Sequence, residues 1–310
     1  MNQKITYRPG TAADSYAVFC VFEEALADLL RRHGHDEPTS WAEPEKLAQM
    51  WQKRRPLYEH LALTASHFWV AEQHDDSETT PRRIVAFARS IERDGTLELT
   101  EFFALPDVQS GGVGRELLAR AFPDGNYRQR IIIATTDMRA QSRYLKAGVF
   151  PRFPIYYFWR RPEPAPLNNA LHSEPMVASP ALWETLAQID TAVLGHSRTA
   201  DHQWLLTDRQ GVLYRRQGQV IGYGYMGPPN GPFALLDAAD FPAVLAHAEN
   251  QAAADGRETV GFEVPMCNQT AVAYLLSHGY QIESFIALFM SSQPPDKLEQ
   301  YIITSPPFFL

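Results

Sequence analysis

The sequence is poor in cysteine and has no long apolar run, and both features limit the kind of protein that it encodes. Its 310 residues include only two cysteines, Cys20 and Cys267, which are too few for a disulfide framework or a thiolate zinc site. No apolar run approaches the roughly 20 residues that a membrane-spanning helix requires. We therefore expect a soluble, cytoplasmic protein with no membrane partner.

Positive charge is also scarce. The chain has 28 Lys and Arg against 36 Asp and Glu, a formal net charge of -8, whereas a dedicated nucleic-acid binder needs a dense basic surface. The histidines are too scattered for a metal site, and no Gly-x-Ser-x-Gly sequence supports a serine hydrolase. We accordingly predict neither a nucleic-acid partner nor a metal cofactor.

The pattern of apolar residues indicates an α/β protein of two domains. Over residues 1–160 it predicts a strand, two helices, three antiparallel strands, and then a helix, a strand, a helix and a strand. Residues 161–180 are rich in proline and lack a periodic pattern, which is typical of an interdomain linker. Residues 181–310 again mix helices and strands. The predicted domains are therefore residues 1–160 and 181–310.

The same spacing of four residues occurs once in each half of the chain. Asn268 follows Asp137 by 131 positions, and Gly279 follows Gly148 by the same number. In both halves the pattern lies on a predicted helix between two predicted strands, so duplication of one fold explains it better than chance. The full pattern is Asp137, Ala140, Tyr144 and Gly148 in the first half, and Asn268, Ala271, Leu275 and Gly279 in the second.

A glycine-rich segment, Gln109 to Gly114, joins a predicted strand to a predicted helix. Glycines let the backbone approach a bulky anion, and the N–H groups and dipole at the start of a helix can hold phosphate oxygens. A P-loop would have Lys and then Ser or Thr where Arg115 and Glu116 stand. A dinucleotide fingerprint would have a third glycine at Leu117. The glycines therefore serve either a tight turn alone or another kind of phosphate site.

The wider pattern around this segment favours a phosphate site. Pro106, Gln109, Gly112 and Gly114 resemble the Gln/Arg-x-x-Gly-x-Gly/Ala motif of the GNAT superfamily, the acetyl-CoA-dependent N-acetyltransferases. In that family the motif follows the fourth strand, opens the third helix and binds the pyrophosphate of acetyl-CoA. The predicted order of elements gives the segment the same place here.

A second motif supports the same resemblance. It is similar to the family pattern Asn-x-x-Ala-x-x-x-Tyr-x-x-x-Gly-Phe, with Asp in place of Asn and Val in place of Phe. The resemblance covers about residues 4–160. The matching residues are Asp137, Ala140, Tyr144, Gly148 and Val149.

The resemblance implies a fold of two GNAT-like domains, each with a central mixed, mostly antiparallel sheet flanked by helices. The second domain resembles a degenerate copy. Residues 235–243 lack glycine and carry Asp237 and Asp240 where a phosphate would have to bind, and Leu275 occupies the tyrosine position. Like charges there would repel a pyrophosphate. We therefore expect one acetyl-CoA site per chain.

The resemblance also implies roles for particular residues. Tyr144 would be the general acid that protonates the CoA thiolate, and Glu101 would be a base that acts directly or through water. The alternatives are a packing role for Tyr144 and a solvated strand position for Glu101, since many family members have no dedicated base. The residues implied to bind acetyl-CoA are Phe103, Ala104, Leu105, Gln109, Ser110, Gly111, Gly112, Val113, Gly114, Arg115 and Asp137.

The predicted activity is transfer of an acetyl group to the primary amine of a small molecule, which would be the partner of the protein. Two alternatives remain open: a protein or peptide N-acetyltransferase, and a non-catalytic acyl-CoA-binding regulatory protein. The chain could also form a homodimer. In the second half, Asp190, Gly195, His196 and Arg198 are expected in a polar loop that either lies on the surface or reaches the acceptor. The apolar end, residues 305–310, is expected to dock on a surface.

Overall fold

The computed structural model describes residues 4–32, 34, 43–74, 82–109, 112–166, 171–304, 307 and 310. The contacts of the chain divide it into two compact units, which we call unit 1 (residues 1–92 and 97–128) and unit 2 (residues 93–96 and 129–310). Both units combine helices with antiparallel strand pairs, and this confirms the predicted α/β fold class.

Unit 1 contains four strands in the order β1-β2-β3-β4. The pairs β1–β2 and β2–β3 are antiparallel. Its elements are β1 (Lys4–Pro9), α1 (Ser15–Arg32), α2 (Pro44–Thr64), β2 (Ala65–His74), β3 (Arg83–Arg93), β4 (Thr96–Ala104) and α3 (Val113–Ala121). The tip that joins β3 to β4, residues 93–96, belongs to unit 2.

The helix α1 has the buried face that its sequence predicts. Apolar residues at helical spacing bring Val18, Phe22 and Leu29 to that face, and all three are buried. The helix α2 packs against α1 through aromatic rings. The ring centroid of Phe19 lies 5.4 Å from that of Trp51 and 5.6 Å from that of Tyr58. This aromatic contact fixes the position of α2 in unit 1.

Unit 2 contains two sheets, ordered β5-β12-β6-β11 and β13-β10-β9-β8-β7. Strand β7 lies inside the predicted linker and pairs with β8. The domain limits predicted from the sequence stay a prediction. The elements are β5 (Gln129–Ala134), α4 (Met138–Lys146), β6 (Phe150–Arg160), β7 (His172–Pro175), α5 (Pro180–Leu194), α6 (Thr199–Asp208), β8 (Gln210–Arg216), β9 (Gln219–Met226), β10 (Phe233–Leu235), α7 (Phe241–Ala254), β11 (Val260–Pro265), α8 (Gln269–Ser277), β12 (Gln281–Ser291) and β13 (Tyr301–Ile302).

The two repeated helices, α4 and α8, have matching ends. Each has nine residues, and each is capped by the side chain before it: Asp137 accepts from the N–H of Ala140 at 3.3 Å, and Asn268 accepts from that of Ala271 at 3.0 Å. At the other end Gly148 and Gly279 both have a φ of 76°, in the left-handed region that favours glycine. The structural match agrees with a duplication.

The repeats exchange their last strands within unit 2. By position in the repeat, β11 corresponds to β5 and β12 corresponds to β6. Strand β5 nevertheless pairs with β12, and β11 pairs with β6. Strands β6 and β12 also pair with each other along most of their length. The fifth and last strands of both repeats therefore form one layer, and separating the repeats would break these ladders.

Candidate functional site

The glycine-rich turn leads from β4 to α3. Gly112 is the residue before the first turn of α3, and its φ of +85° lies in the left-handed region. A Cβ built at Gly112 would meet no atom of the described residues within 4 Å. Its carbonyl oxygen accepts from the N–H groups of Arg115 and Glu116 at 3.0 and 3.3 Å. The N–H groups before these have no acceptor within the helix itself, and such groups at the start of a helix can bind an anion.

Two main-chain groups before the turn form hydrogen bonds with other parts of the protein. The side-chain amide of Gln109 donates to the carbonyl oxygen of Ala104 at 3.0 Å. The N–H of Leu105 donates to the carbonyl oxygen of Val85 at 2.9 Å. Gln109 thus ties the turn to the end of β4, and these two groups of the predicted pantetheine-binding segment are engaged by the chain itself.

The other residues predicted for this segment are placed as follows. Phe103 is half-buried, and its ring centroid lies 4.8 Å from that of Phe22. The side chain of Val113 is buried in the core of unit 1, whereas that of Arg115 is largely exposed. Ser110 and Gly111 lie outside the described residues.

Glu101 is buried, with 2% of its surface exposed; the alternative of a solvated strand residue is wrong. Nε of Arg89 donates to its Oε2 at 2.6 Å, and the two side chains form an ion pair. The second carboxylate oxygen, Oε1, has no hydrogen-bond partner in the described part of the chain. Burial raises the pKa of Glu101, although the charge and hydrogen bond of Arg89 oppose the rise.

Arg89 itself was missed by sequence reasoning. Its guanidinium lies 5.4, 4.9 and 5.9 Å from the ring centroids of Tyr58, Phe68 and Phe87, distances at which a cation is attracted to an aromatic face. Its Nη1 donates to the carbonyl oxygen of Tyr58 at 3.1 Å. The signal in the sequence was a single arginine within the apolar strand β3, which has to find a buried partner.

Tyr144 and Asp137 lie in unit 2. Tyr144 is buried, and burial together with the charge of Asp137 raises its pKa, so the phenol keeps its proton at neutral pH. The side chain of Asp137 accepts from the first N–H groups of α4, that of Arg139 at 2.8 Å among them, and so serves as a helix cap. The roles of both residues toward acetyl-CoA stay predictions.

The counterpart of the glycine-rich turn in unit 2 is built from carboxylates. Asp237 accepts from the N–H of Ala239 at 2.9 Å. Asp240 is buried and forms an ion pair with Arg216. The helix α7 then begins directly at Phe241. Both acidic side chains are therefore used in local structure at the start of the helix.

Of the residues predicted for a polar loop in the second half, Asp190 lies in α5. Asp190, His196 and Arg198 are buried, whereas Gly195 is half-buried. Asp190 and Arg198 are almost fully buried, and Nε of Arg198 donates to Oδ2 of Asp190 at 3.0 Å. His202 and Tyr223 complete the network and were missed by sequence reasoning. Nε2 of His202 lies 2.8 Å from Oδ2 of Asp190, and the hydroxyl of Tyr223 donates to Oδ1.

Comparisons with known proteins were made by sequence and by fold. Residues 27–149 match the sequence model of the acetyltransferase (GNAT) family. A search of the curated proteins finds no match to this chain. The fold resembles a Pyrococcus horikoshii protein named provisionally as an acetyltransferase, with a TM-score of 0.70 and 13% identity over 97% of this chain and 94% of the other.

Two further solved structures show the same likeness. A GCN5-related N-acetyltransferase from Sphaerobacter thermophilus has a TM-score of 0.55 and 13% identity over 96% of this chain and 98% of its own. A tandem GNAT protein from the clavulanic acid biosynthesis pathway has a TM-score of 0.53 and 13% identity, over 94% of this chain and all of its own. At such identities the likeness concerns the fold.

Residues 27–149 thus match the GNAT family by sequence, and the fold of the chain is that of two GNAT-like domains. The match to this family indicates acyltransferase activity in general, and the family generally uses acetyl-CoA. Among the described residues, no helix is long and apolar enough to cross a membrane.

Proposed function

We propose that this protein transfers the acetyl group of acetyl-CoA to the primary amine of a small molecule by direct attack. The observation that carries the proposal is Gly112: a left-handed residue at the start of α3 whose Cβ direction is open. Such a position lets a large anion approach the backbone donors of the helix. The family match over residues 27–149 supports the same reading.

In this proposal the pyrophosphate of acetyl-CoA contacts the main chain of Gly112, Val113 and Gly114, together with Ser110 and Gly111. Gln109 holds the turn to the end of β4 through its bond to Ala104. The side chain of Arg115 is exposed and adds positive charge beside the turn. These donors are fixed by the start of a helix, so binding requires little reorganisation of the backbone.

Acetyl-CoA supplies the acetyl group as a thioester. In the transfer, a nitrogen–carbon bond forms and the carbon–sulfur bond breaks. The nitrogen loses one proton, and the thiolate takes up one. Tyr144 is the proposed general acid for the thiolate. Its raised pKa means that the hydroxyl carries its proton at neutral pH and can donate a hydrogen bond to the departing sulfur. Glu101 is proposed to contact the amine, with its carboxylate held in place by Arg89.

The experiment that tests the acetyl-CoA site is Gly112→Ala, with Gly218→Ala as its matched control. Gly218 has a φ of +80° and the same open space around a Cβ. Both variants should therefore lose a similar stability, about 1–2 kcal/mol. Only Gly112→Ala should also weaken acetyl-CoA binding, by at least about tenfold, since its methyl group occupies the approach to the backbone donors.

Binding is measured by calorimetry, and transfer by CoA release across a panel of primary amines. Equal acetyl-CoA affinity in the wild type and Gly112→Ala would overturn the proposed pyrophosphate site. Tight acetyl-CoA binding without CoA release for any amine would favour the non-catalytic regulatory alternative. Release only with peptide N-termini or lysine side chains would favour a protein or peptide N-acetyltransferase.

A further inference from the structure

Five buried polar atoms among the described residues of unit 1 have no hydrogen-bond partner there: the hydroxyl of Tyr58, Oε1 of Glu101, Nη2 of Arg89, and Oγ of Ser15 and of Ser90. The first two are acceptors on side chains that contact the same arginine. Neither side chain is more than 2% exposed. A buried polar group without a partner costs about 1–3 kcal/mol, and such groups are few in folded proteins. Two such acceptors on residues that both contact Arg89 therefore point to a ligand.

Both side chains meet at the same guanidinium. Arg89 donates to Oε2 of Glu101, and its Nη1 donates to the backbone carbonyl of Tyr58. It also lies over the Tyr58 ring, 5.4 Å from the centroid. Burial raises the pKa of Tyr58, and the charge of Glu101 adds to the rise. Arg89 therefore joins Tyr58 to Glu101.

The surroundings of this pair are aromatic. The Tyr58 ring lies 5.6, 6.4 and 6.1 Å from the rings of Phe19, Phe22 and Trp51. Phe22 in turn contacts Phe103 at 4.8 Å. Trp51 and Phe103 are only half-buried, so the aromatic cluster extends from Tyr58 to the surface of unit 1. A ligand that reached the two atoms along it would pass between apolar walls.

We infer that the hydroxyl of Tyr58 and Oε1 of Glu101 hold the amino group of the acetyl acceptor, and that this acceptor is a neutral primary amine carried on an aromatic body. The inference rests on the proposed function and names its substrate class. Each of the two oxygens accepts one N–H of the amine. The nitrogen lone pair then stays free for attack.

The charges of the site favour a neutral amine over an ammonium ion. Arg89 already balances the charge of Glu101, so an ammonium would bring an uncompensated positive charge into a buried, apolar place. The neutral amine is also the nucleophilic form. A carboxylate on the carbon next to the nitrogen would have to enter the same aromatic surroundings without a cation of its own, because Arg89 is engaged by Glu101.

The test is Tyr58→Phe in the full-length protein, with phenethylamine as the probe. Removing a hydroxyl that has no partner should leave the melting temperature unchanged or raise it. The KM for phenethylamine should rise about tenfold, the effect of one lost hydrogen bond, while the KM for acetyl-CoA stays the same. Phenylalanine, which adds a carboxylate beside the amine, should be a far poorer acceptor of the wild type.

The matched control is Tyr225→Phe in unit 2. Tyr225 is also fully buried, but its hydroxyl lies 2.8 Å from Nδ1 of His202. This variant should lower the melting temperature and leave the KM for phenethylamine unchanged. If Tyr58→Phe instead lowers the melting temperature as much as the control, or leaves the KM unchanged, the inferred contact is overturned.

The pH dependence tests the charge of the acceptor. For a neutral amine, kcat/KM should rise with pH to a plateau at the pKa of the amine itself. The plateau should move to lower pH with 2,2-difluoro-2-phenylethylamine, whose fluorines lower the amine pKa. A profile that does not move with the amine overturns the inference. Failure of the proposed function is distinguishable, because then the wild type releases no CoA with any amine.

Discussion

Each unit buries an arginine–carboxylate pair, and the two pairs differ in how completely they are bonded. In unit 2, Arg198 and His202 meet Oδ2 of Asp190, while the hydroxyl of Tyr223 donates to Oδ1. In unit 1, Arg89 bonds only Oε2 of Glu101, and Oε1 has no partner in the described part of the chain. The Asp190 network is fully bonded at its carboxylate, whereas the Arg89–Glu101 pair leaves one carboxylate oxygen for the proposed amine ligand.

This difference separates stability from function within one chain. A buried charge pair is worth little more than apolar residues of the same size, but breaking it leaves a charge uncompensated. Asp190 has three protein partners and gains from all of them. Glu101 is held by a single side chain, so the protein retains a buried carboxylate oxygen at a cost in stability. The proposed contact of Glu101 with the acceptor amine would account for the persistence of such a cost.

The largest expected effect is the loss of Asp190. Asp190→Ala leaves Arg198 buried without its counter-charge, and the free energy of unfolding should fall by about 3–5 kcal/mol. Urea unfolding measures the change. The control is Asp255→Ala, which removes a partly exposed ion pair to Arg257 and should cost no more than about 1 kcal/mol. A loss as small as that of the control would show that the unit 2 network is not needed for stability.

Local features of the fold could be predicted from the sequence. The helical spacing of Val18, Phe22 and Leu29 gave the buried face of α1, because one helix carries its own pattern. The helix α6 was missed because two of its polar residues, Asp201 and His202, are buried and blur any amphipathic pattern. The exchange of β6 and β12 depends on long-range strand pairing, which no local pattern records.

The candidate site was predictable only in part, because it too depends on contacts between residues that are distant in the sequence. Motif spacing singled out Gly112 and Tyr144, and strand position singled out Glu101. Whether Glu101 is solvated or buried depends on the strands and helices packed around it, so both interpretations were open. The partnership of Arg89 with Glu101 joins two strands, and the unpartnered hydroxyl of Tyr58 becomes visible only once its surroundings are known.

A change of pH should have a smaller effect on the free energy of unfolding. The sign of this effect is opposite for the pair of Asp190 and the pair of Glu101. Burial alone would raise the pKa of Asp190, but Arg198, His202 and Tyr223 outweigh it and lower the pKa to about 2. Since an unfolded Asp has a pKa of about 3.9, Asp190 contributes on the order of 2 kcal/mol above pH about 4. That contribution is lost as the pH falls through about 2.

Glu101 should behave in the opposite way. Its pKa is raised on folding, so the folded state binds its proton more readily and stability from this group increases as the pH falls. Urea unfolding should therefore show a shallower pH dependence for Asp190→Asn than for the wild type between about pH 5 and 2, and a steeper one for Glu101→Gln above about pH 4, the pKa of an unfolded Glu. Parallel curves for the two variants would remove the distinction between the pairs.

The smallest effect on stability, and the sharpest test of the comparison, is the double variant Arg89→Leu with Glu101→Leu. Replacing a whole buried ion pair by apolar residues is often neutral or stabilising, so the free energy of unfolding should stay within about 1 kcal/mol of the wild type. Glu101→Leu alone should cost about 3–5 kcal/mol because Arg89 loses its counter-charge. Acetyl transfer to phenethylamine should be lost in the double variant although it is folded. A double variant that kept full transfer would assign the Arg89–Glu101 pair to the fold alone, like its counterpart in unit 2.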